Sequence, residues 1–367
     1  MMRRLLMLAV LPLLAACSEG EVALPEVIEA YGATVYRDSL APELRLFIWP
    51  DYMDPQILQE FERTYGVRVI TDYYDNNEAL IAKLKAGGIG QYDVIVASDY
   101  AIEVLESGTL LLSLDHRHIP NLKNLDARFR ALPFDSANLY SITYQWGTTG
   151  LGLRMDLLRD STAQLDTWRV VFDEAAQQGS IVMLQDPRET IGAALIYLGH
   201  SPNTTDSTHL HEAEQLLVRQ RARVLTYAPF ASGRDLLASG DAAVSHNYSG
   251  DILSVQKEVP TIRYVIPREG AILWTDNMAI PARAPARYTA ETFINFILDA
   301  EVGARLSNFT RYASPNSASL SQVDASLRSD RSVYPDSAVM ARLHVLRDVG
   351  PARAIYDRIW TRLRASR

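Results

Sequence analysis

The chain has 367 residues, of which 48% are apolar and 22% charged, with a single cysteine and a formal net charge of −8. That length exceeds one ordinary domain, and the apolar share supplies enough core for two. The acidic balance speaks against nucleic acid as a partner and mildly favours cations.

Met1-Met2-Arg3-Arg4, an apolar run from Leu5 to Leu14, and then Ala15-Ala16-Cys17 read as the positive, apolar and small-residue regions of an export signal. The run is too short for a mature membrane-spanning helix. Leu14-Ala15-Ala16-Cys17 resembles a bacterial lipobox, whose cysteine becomes the lipidated first residue of the mature chain. The expected division is a signal peptide over 1–16, lipidation at Cys17 and a tether over 17–42, where mixed polar and small residues show no periodicity. With no second cysteine, an intramolecular disulfide cannot form, so stability rests on core burial.

From Leu44 the pattern becomes regular. Leu44–Trp49 reads as a buried strand, Asp54-Pro55 as the cap and first position of a helix ended by Gly66, Val67–Tyr73 as a strand, Asn77–Leu84 as a helix and Tyr92–Ala97 as a strand. The alternation resumes beyond Leu151. Ser180–Leu184, Val224–Tyr227, Ala242–His246 and Ile262–Ile266 read as strands, with helices over Thr190–Gly199, His209–Arg219 and Arg234–Ser239. Asn277–Pro281 gives one more strand, and the remainder is largely helical to Arg364. Strands alternating with helices imply mostly parallel sheets covered on both faces, with ligands bound beyond the strands' carboxyl ends.

At those ends stand aromatic and acidic residues: Trp49, Asp51 and Tyr52; Asp99 and Tyr100; Asp186 and Glu189; Tyr248 and Asp251; Trp274 and Asp276; and Tyr312. Converged, they would form a box for an elongated organic cation, because aromatic faces attract ammonium groups and carboxylates accept their hydrogen bonds. Each has a plainer reading. Trp49 at a strand end suits core packing, while Asp51, Asp251 and Asp276 suit helix caps, and Asp186 with Glu189 suits a helix start.

Seven segments in order resemble the bacterial periplasmic spermidine/putrescine-binding proteins. They are Ile48-Trp49-Pro50-Asp51-Tyr52, Asp75 to Leu80, Tyr92 to Val96, Trp146 to Gly152, Ile266 to Gly270, Trp274-Thr275-Asp276 and Tyr312 to Asn316. The resemblance implies an α/β type II periplasmic-binding-protein fold, two α/β lobes with a hinge and an interlobe ligand cleft. The first lobe would take 43–148 and 276–318, the second 149–275 and 319–367. It further implies that the twelve residues named above bind a di- or polyamine, that no cofactor or metal is needed, and that the closed protein delivers its ligand to an ABC permease. Docking on a membrane sensor is the alternative role. The chain is expected to be a monomer in the periplasm, held to a membrane by its lipid. Four positions depart from the family pattern: Pro50 and Asp99 where small residues are usual, Tyr248 for tryptophan, and Leu346 for glutamine.

Competing chemistry finds little support. Asp186 and Glu189 lie too close in sequence to flank a scissile bond from opposite sides, and no G-x-S-x-G elbow is present. His116-Arg117-His118 and His209-Leu210-His211 are bare H-x-H pairs without a recognised ligand spacing. Asp75 to Glu78 reads as a turn and helix cap, and Gly147 to Gly152 as the first crossing between lobes. A receptor of the same fold for an anionic or neutral solute, as for iron or a sugar, would carry arginines or a tyrosine cluster in the cleft, where the named segments show only Arg188.

Overall fold

The computed structural model describes residues 25–130 and 132–365. Cys17 and the signal segment lie outside these residues. The described part of the expected tether is instead a hairpin, β1 (Val27–Ala30) against β2 (Ala33–Tyr36). Tyr31 and Gly32 both hold positive φ, 48° and 69°, the signature of the tight turn whose twist matches paired strands. The hairpin is pinned to the body. The Tyr31 ring meets Phe296 edge-on at 4.7 Å, and its hydroxyl donates to Glu60 at 2.6 Å. Strands of four residues, half exposed, are too short to show a period, which is why the sequence reads as a linker.

The first lobe is a parallel unit of β3 (Glu43–Ile48), α1 (Pro55–Tyr65), β4 (Arg68–Tyr73), α2 (Asn77–Lys85), β5 (Val94–Ser98) and α3 (Asp99–Ser107). Asp54 caps α1 by accepting from the Gln56 amide at 2.8 Å, and Gly66 ends it at φ 69°. Ile57, Phe61 and Tyr65 recur every fourth residue and bury one face. A 14-residue strand, β6 (Ser141–Arg154), then leaves this lobe, and after the single turn α4 (Arg169–Phe172) the second lobe begins. It contains β7 (Ile181–Leu184), α5 (Pro187–Tyr197), α6 (Ser207–Arg221), β8 (Val224–Ala228), α7 (Phe230–Ser239), β9 (Val244–Tyr248), α8 (Ser249–Gln256) and β10 (Ile262–Val265).

β11 (Ala271–Ala279) returns the chain to the first lobe, six residues longer at its start than the apolar run Asn277–Pro281 suggests. Helices α9 (Arg287–Ile297) and α10 (Ala300–Thr310) follow. The turns α11 (Ala325–Arg328) and α12 (Ser337–Met340), strand β12 (Leu343–Val345) and helix α13 (Arg353–Ala365) complete the described chain. The strand order β4-β3-β5-β11-β6-β9-β7-β8 joins both lobes into one curled sheet, with β10 beside β6 and β12 beside β11. β6 and β11 are the joint. Residues Ser141 to Thr149 of β6 pair with β11, while Thr149 to Leu153 pair with β9.

β6 is the crossing expected at Gly147 to Gly152, but it runs much longer, from Ser141 to Arg154. The glycines are there to admit neighbours. A methyl group at Gly147 would stand 2.6 Å from the Trp274 indole, and one at Gly250, in the first turn of α8, 2.6 Å from the Tyr312 ring. Gly250→Ala therefore forces either Tyr312 or α8 to move. We expect it to lower stability by about 1–3 kcal/mol, read as a lower urea midpoint with unchanged m-value.

Candidate functional site

The residues marked at strand ends meet in one cavity of about 260 Å³ between the lobes. From the first lobe, β3 delivers Trp49, and the following turn carries Pro50, Asp51 at φ 55° and Tyr52. β5 delivers Ser98, with Asp99 and Tyr100 on the first turn of α3. The second lobe supplies Asp186 and Glu189 at the start of α5, and Tyr248, Gly250 and Asp251 around the start of α8. Trp274 and Asp276 come from β11, and Tyr312 follows α10. All twelve residues singled out in the sequence line the cavity, as do Pro50 and Leu346.

Their aromatic rings form a continuous belt. Trp49 approaches Phe230 at 6.5 Å between ring centroids, Phe230 meets Tyr248 at 6.1 Å, Tyr248 meets Trp274 at 5.8 Å, Trp274 meets Tyr312 at 5.0 Å, and Tyr312 meets Tyr52 at 5.4 Å. Most cross edge to face, leaving other ring faces available to a guest. Trp49 and Phe230 belong to different lobes, so this is a closed arrangement.

The acids occupy distinct settings. Asp186 caps α5, its Oδ1 accepting from the amides of Arg188 at 2.9 Å and Glu189 at 3.0 Å. Thus the cap reading holds for Asp186, but it does not account for Glu189, whose Oε2 is buried without a hydrogen-bond partner among the described residues. Asp276 lies within β11 and is no cap; the strand register sets it beside Ser98, whose hydroxyl donates to it at 2.7 Å. Asp51 is not a cap either, since Asp54 fills that role. Asp251 accepts from the Tyr312 hydroxyl at 2.5 Å.

Burial penalises the charge of the five enclosed acids. It pushes Asp99 up to about 8, Asp186 to about 7 with help from nearby Glu78, and Glu189 well above the usual carboxylate range. Asp251 and Asp276 rise to about 6, burial being opposed by Tyr312 and Arg234 at the former and by the hydroxyls of Ser98 and Tyr52 at the latter. The indole nitrogens of Trp49 and Trp274 are also buried without partners among the described residues.

The structure adds lining residues that the sequence did not disclose: Asn77, Ser98, Phe230, Arg234, Ser254, Phe309 and Thr310. Asn76 is the cap of α2, as read, but Asn77 turns inward and donates to Ser98 Oγ at 3.1 Å, steadying the hydroxyl that holds Asp276. Its place at a helix start just after a strand was the available signal. Phe230 and Arg234 share a face of α7 at a spacing of four residues, a signal too weak to read without the partner lobe. Arg188, the one base noted in the cleft segments, does not line the cavity. Its guanidinium lies 5.5 Å from the Tyr100 ring and 4.8 Å from the Tyr356 ring, donating to Asn203 and to the Arg347 carbonyl.

Comparison with known proteins agrees with this architecture. Residues 56–330 match the family described as bacterial extracellular solute-binding protein. The chain is 33% identical over 341 residues to a putrescine-binding periplasmic protein of Pseudomonas aeruginosa, the alignment covering 88% of this chain and 92% of the relative. A solved structure from Listeria monocytogenes superposes with a TM-score of 0.84 at 34% identity, covering 89% of this chain and all of that one. The spermidine/putrescine ABC transporter substrate-binding protein of Streptococcus pneumoniae superposes at 0.75 with 26% identity, covering 89% and 99%. With its two α/β lobes, crossing strands and interlobe cavity, this chain belongs to the bacterial extracellular solute-binding protein family.

Proposed function

We propose that this chain binds a di- or polyamine of the putrescine/spermidine class between its lobes, outside the cytoplasm, and hands it unaltered to an ABC importer. The observation that carries this reading is an imbalance of charge: Asp51, Asp99, Asp186, Glu189, Asp251 and Asp276 line an aromatic cavity whose lining includes one basic residue. Isolated buried charges cost several kcal/mol each, so the anionic forms need cations brought from outside. An ammonium group supplies the charge, and the methylenes between two ammonium groups match the aromatic belt. The relatives point the same way, being named for putrescine or spermidine binding and for transport, whereas none of those named above carries a sensing role.

Two further parts of the reading concern organisation. The lobes divide where β6 changes partner at Thr149 and where β11 passes from β12 to β5 near Asp276, so 43–148 with 276–318 would move against 149–275 with 319–367. Cys17 would carry the lipid anchor at the membrane, and the protein would act as a monomer.

Thermal unfolding with a panel of amines tests the ligand class. A ligand at a hundred times its dissociation constant stabilises by about 2.7 kcal/mol; no shift with any di-, tri- or tetra-amine at millimolar concentration contradicts the proposal. Asp276→Asn keeps the side chain's shape but removes its charge. Its affinity for the best amine should fall by roughly thirtyfold or more, the cost of leaving a buried charge unpaired being about 2–5 kcal/mol.

Stability of the unliganded protein should also depend on pH with a defined sign. Asp99, Asp186, Asp251 and Asp276 titrate at about 6 to 8 when folded, above the ordinary carboxylate value near 4. The folded state therefore retains protons that the unfolded chain releases, and stability contributed by these groups is lost as pH rises through 6 to 8. Melting temperature without ligand should fall between pH 5.5 and 8, and a saturating amine should flatten or reverse that slope. An unliganded profile that rises across this window would contradict the charge imbalance.

A further inference from the structure

One basic residue, Arg234, lines the cavity. Arg234, on α7, places Nη1 3.4 Å from Asp51 Oδ2 and 3.7 Å from Asp251 Oδ1. Asp51 comes from the first lobe and Asp251 from the second, so the guanidinium bridges the closed mouth. Its Nε is anchored by Asp235 at 3.0 Å, outside the cavity lining. With the Tyr312 hydroxyl on its other oxygen, Asp251 has both oxygens engaged.

The inner acids differ. Asp276 is met by the Ser98 hydroxyl, Asp186 by backbone amides, and Glu189 Oε2 by nothing, and none of the three has an ion-pair partner among the described residues. The inner cavity thus has two acidic stations without an ion-pair partner among the described residues, one at Asp276 with neighbouring Asp99 and one at Asp186 with Glu189, the second moderated by the charge of nearby Arg188. The outer station already holds a cation.

We propose that Arg234 is a tethered cation occupying the outer acidic pair Asp51 and Asp251 in the closed protein, and that it makes the site select diamines over triamines. This rests on the polyamine reading and narrows it. A diamine can neutralise the two inner stations while Arg234 keeps its place. A triamine must bring its third ammonium group against the guanidinium, and like charges juxtaposed in a partly buried site cost several kcal/mol. It must otherwise displace Arg234 and open the bridge between lobes. The arginine acts as a ruler: it shortens an acidic ladder that would otherwise suit a longer ligand.

Calorimetric titration of the whole chain with putrescine, cadaverine and spermidine, at one pH and salt concentration, tests the assignment. The unaltered protein should prefer a diamine. In Arg234→Gln the ratio of spermidine to putrescine affinity should rise by about tenfold or more, while Arg234→Lys, which keeps the charge, should retain the original order. Arg234→Met serves the same purpose should the glutamine variant fail to fold. Preference of the unaltered protein for spermidine, or an unchanged ratio in the charge-removing variant, overturns the role of Arg234 and leaves amine binding standing. Failure of every amine to bind the unaltered protein overturns both.

Discussion

Five buried carboxylates share one aromatic cavity, Asp99, Asp186, Glu189, Asp251 and Asp276, and the remaining features of the site answer the cost of ionising them together. Burial pushes most of them towards their neutral forms, so the unliganded cavity holds protons where a bound ligand would place cations. Proteins rarely keep such an arrangement for stability, since well-packed apolar residues would serve a core better. Its use is recognition. The energy needed to bury the acids becomes available when a multiply charged guest neutralises them, and the belt from Trp49 to Tyr52 sets apolar ring faces around the contacts.

The fold makes this possible through its strand ends. Parallel strands of each lobe finish at the cleft, so residues directly after β3, β5, β7 and β9 face one another although they are far apart in sequence. β6 and β11 run between the lobes and carry side chains at the joint itself. Asp276 sits at a register shift in β11 beside Ser98, while Gly147 leaves room for the Trp274 ring. Neither lobe holds a complete set of acids or rings. Closure therefore builds the site, and the Arg234 bridge between Asp51 and Asp251 ties the same closure to the choice of ligand.

Much of this was legible in the chain. Apolar runs bounded by caps and glycines disclosed most of the parallel strands and amphipathic helices of both lobes, because these leave a clear pattern, whereas α3 and α8 went unread and β6 and β11 run well beyond the segments expected. The residues after those strands were marked by pairing an aromatic with an acid, and all twelve line the cavity. What stayed hidden depends on contacts between distant segments. The crossing at Gly147 to Gly152 was legible, but why it carries glycines shows only when Trp274, Tyr264 and Ile252 are seen against them. The hairpin over Val27–Tyr36 has strands too short for periodicity, and Arg234 looks like any charged helix residue until Asp51 approaches from the other lobe.

Binding should exchange protons on the buried acids for a cation. Calorimetric titration of the protein with putrescine at pH 6.5, repeated in two buffers of different ionisation heat, counts the protons moved on binding. Amine nitrogens are already charged at that pH, so the buried carboxylates are the groups expected to respond, and binding should release protons to the buffer. Net uptake, or heats of binding identical in the two buffers, would contradict the view that unneutralised acids hold the ligand.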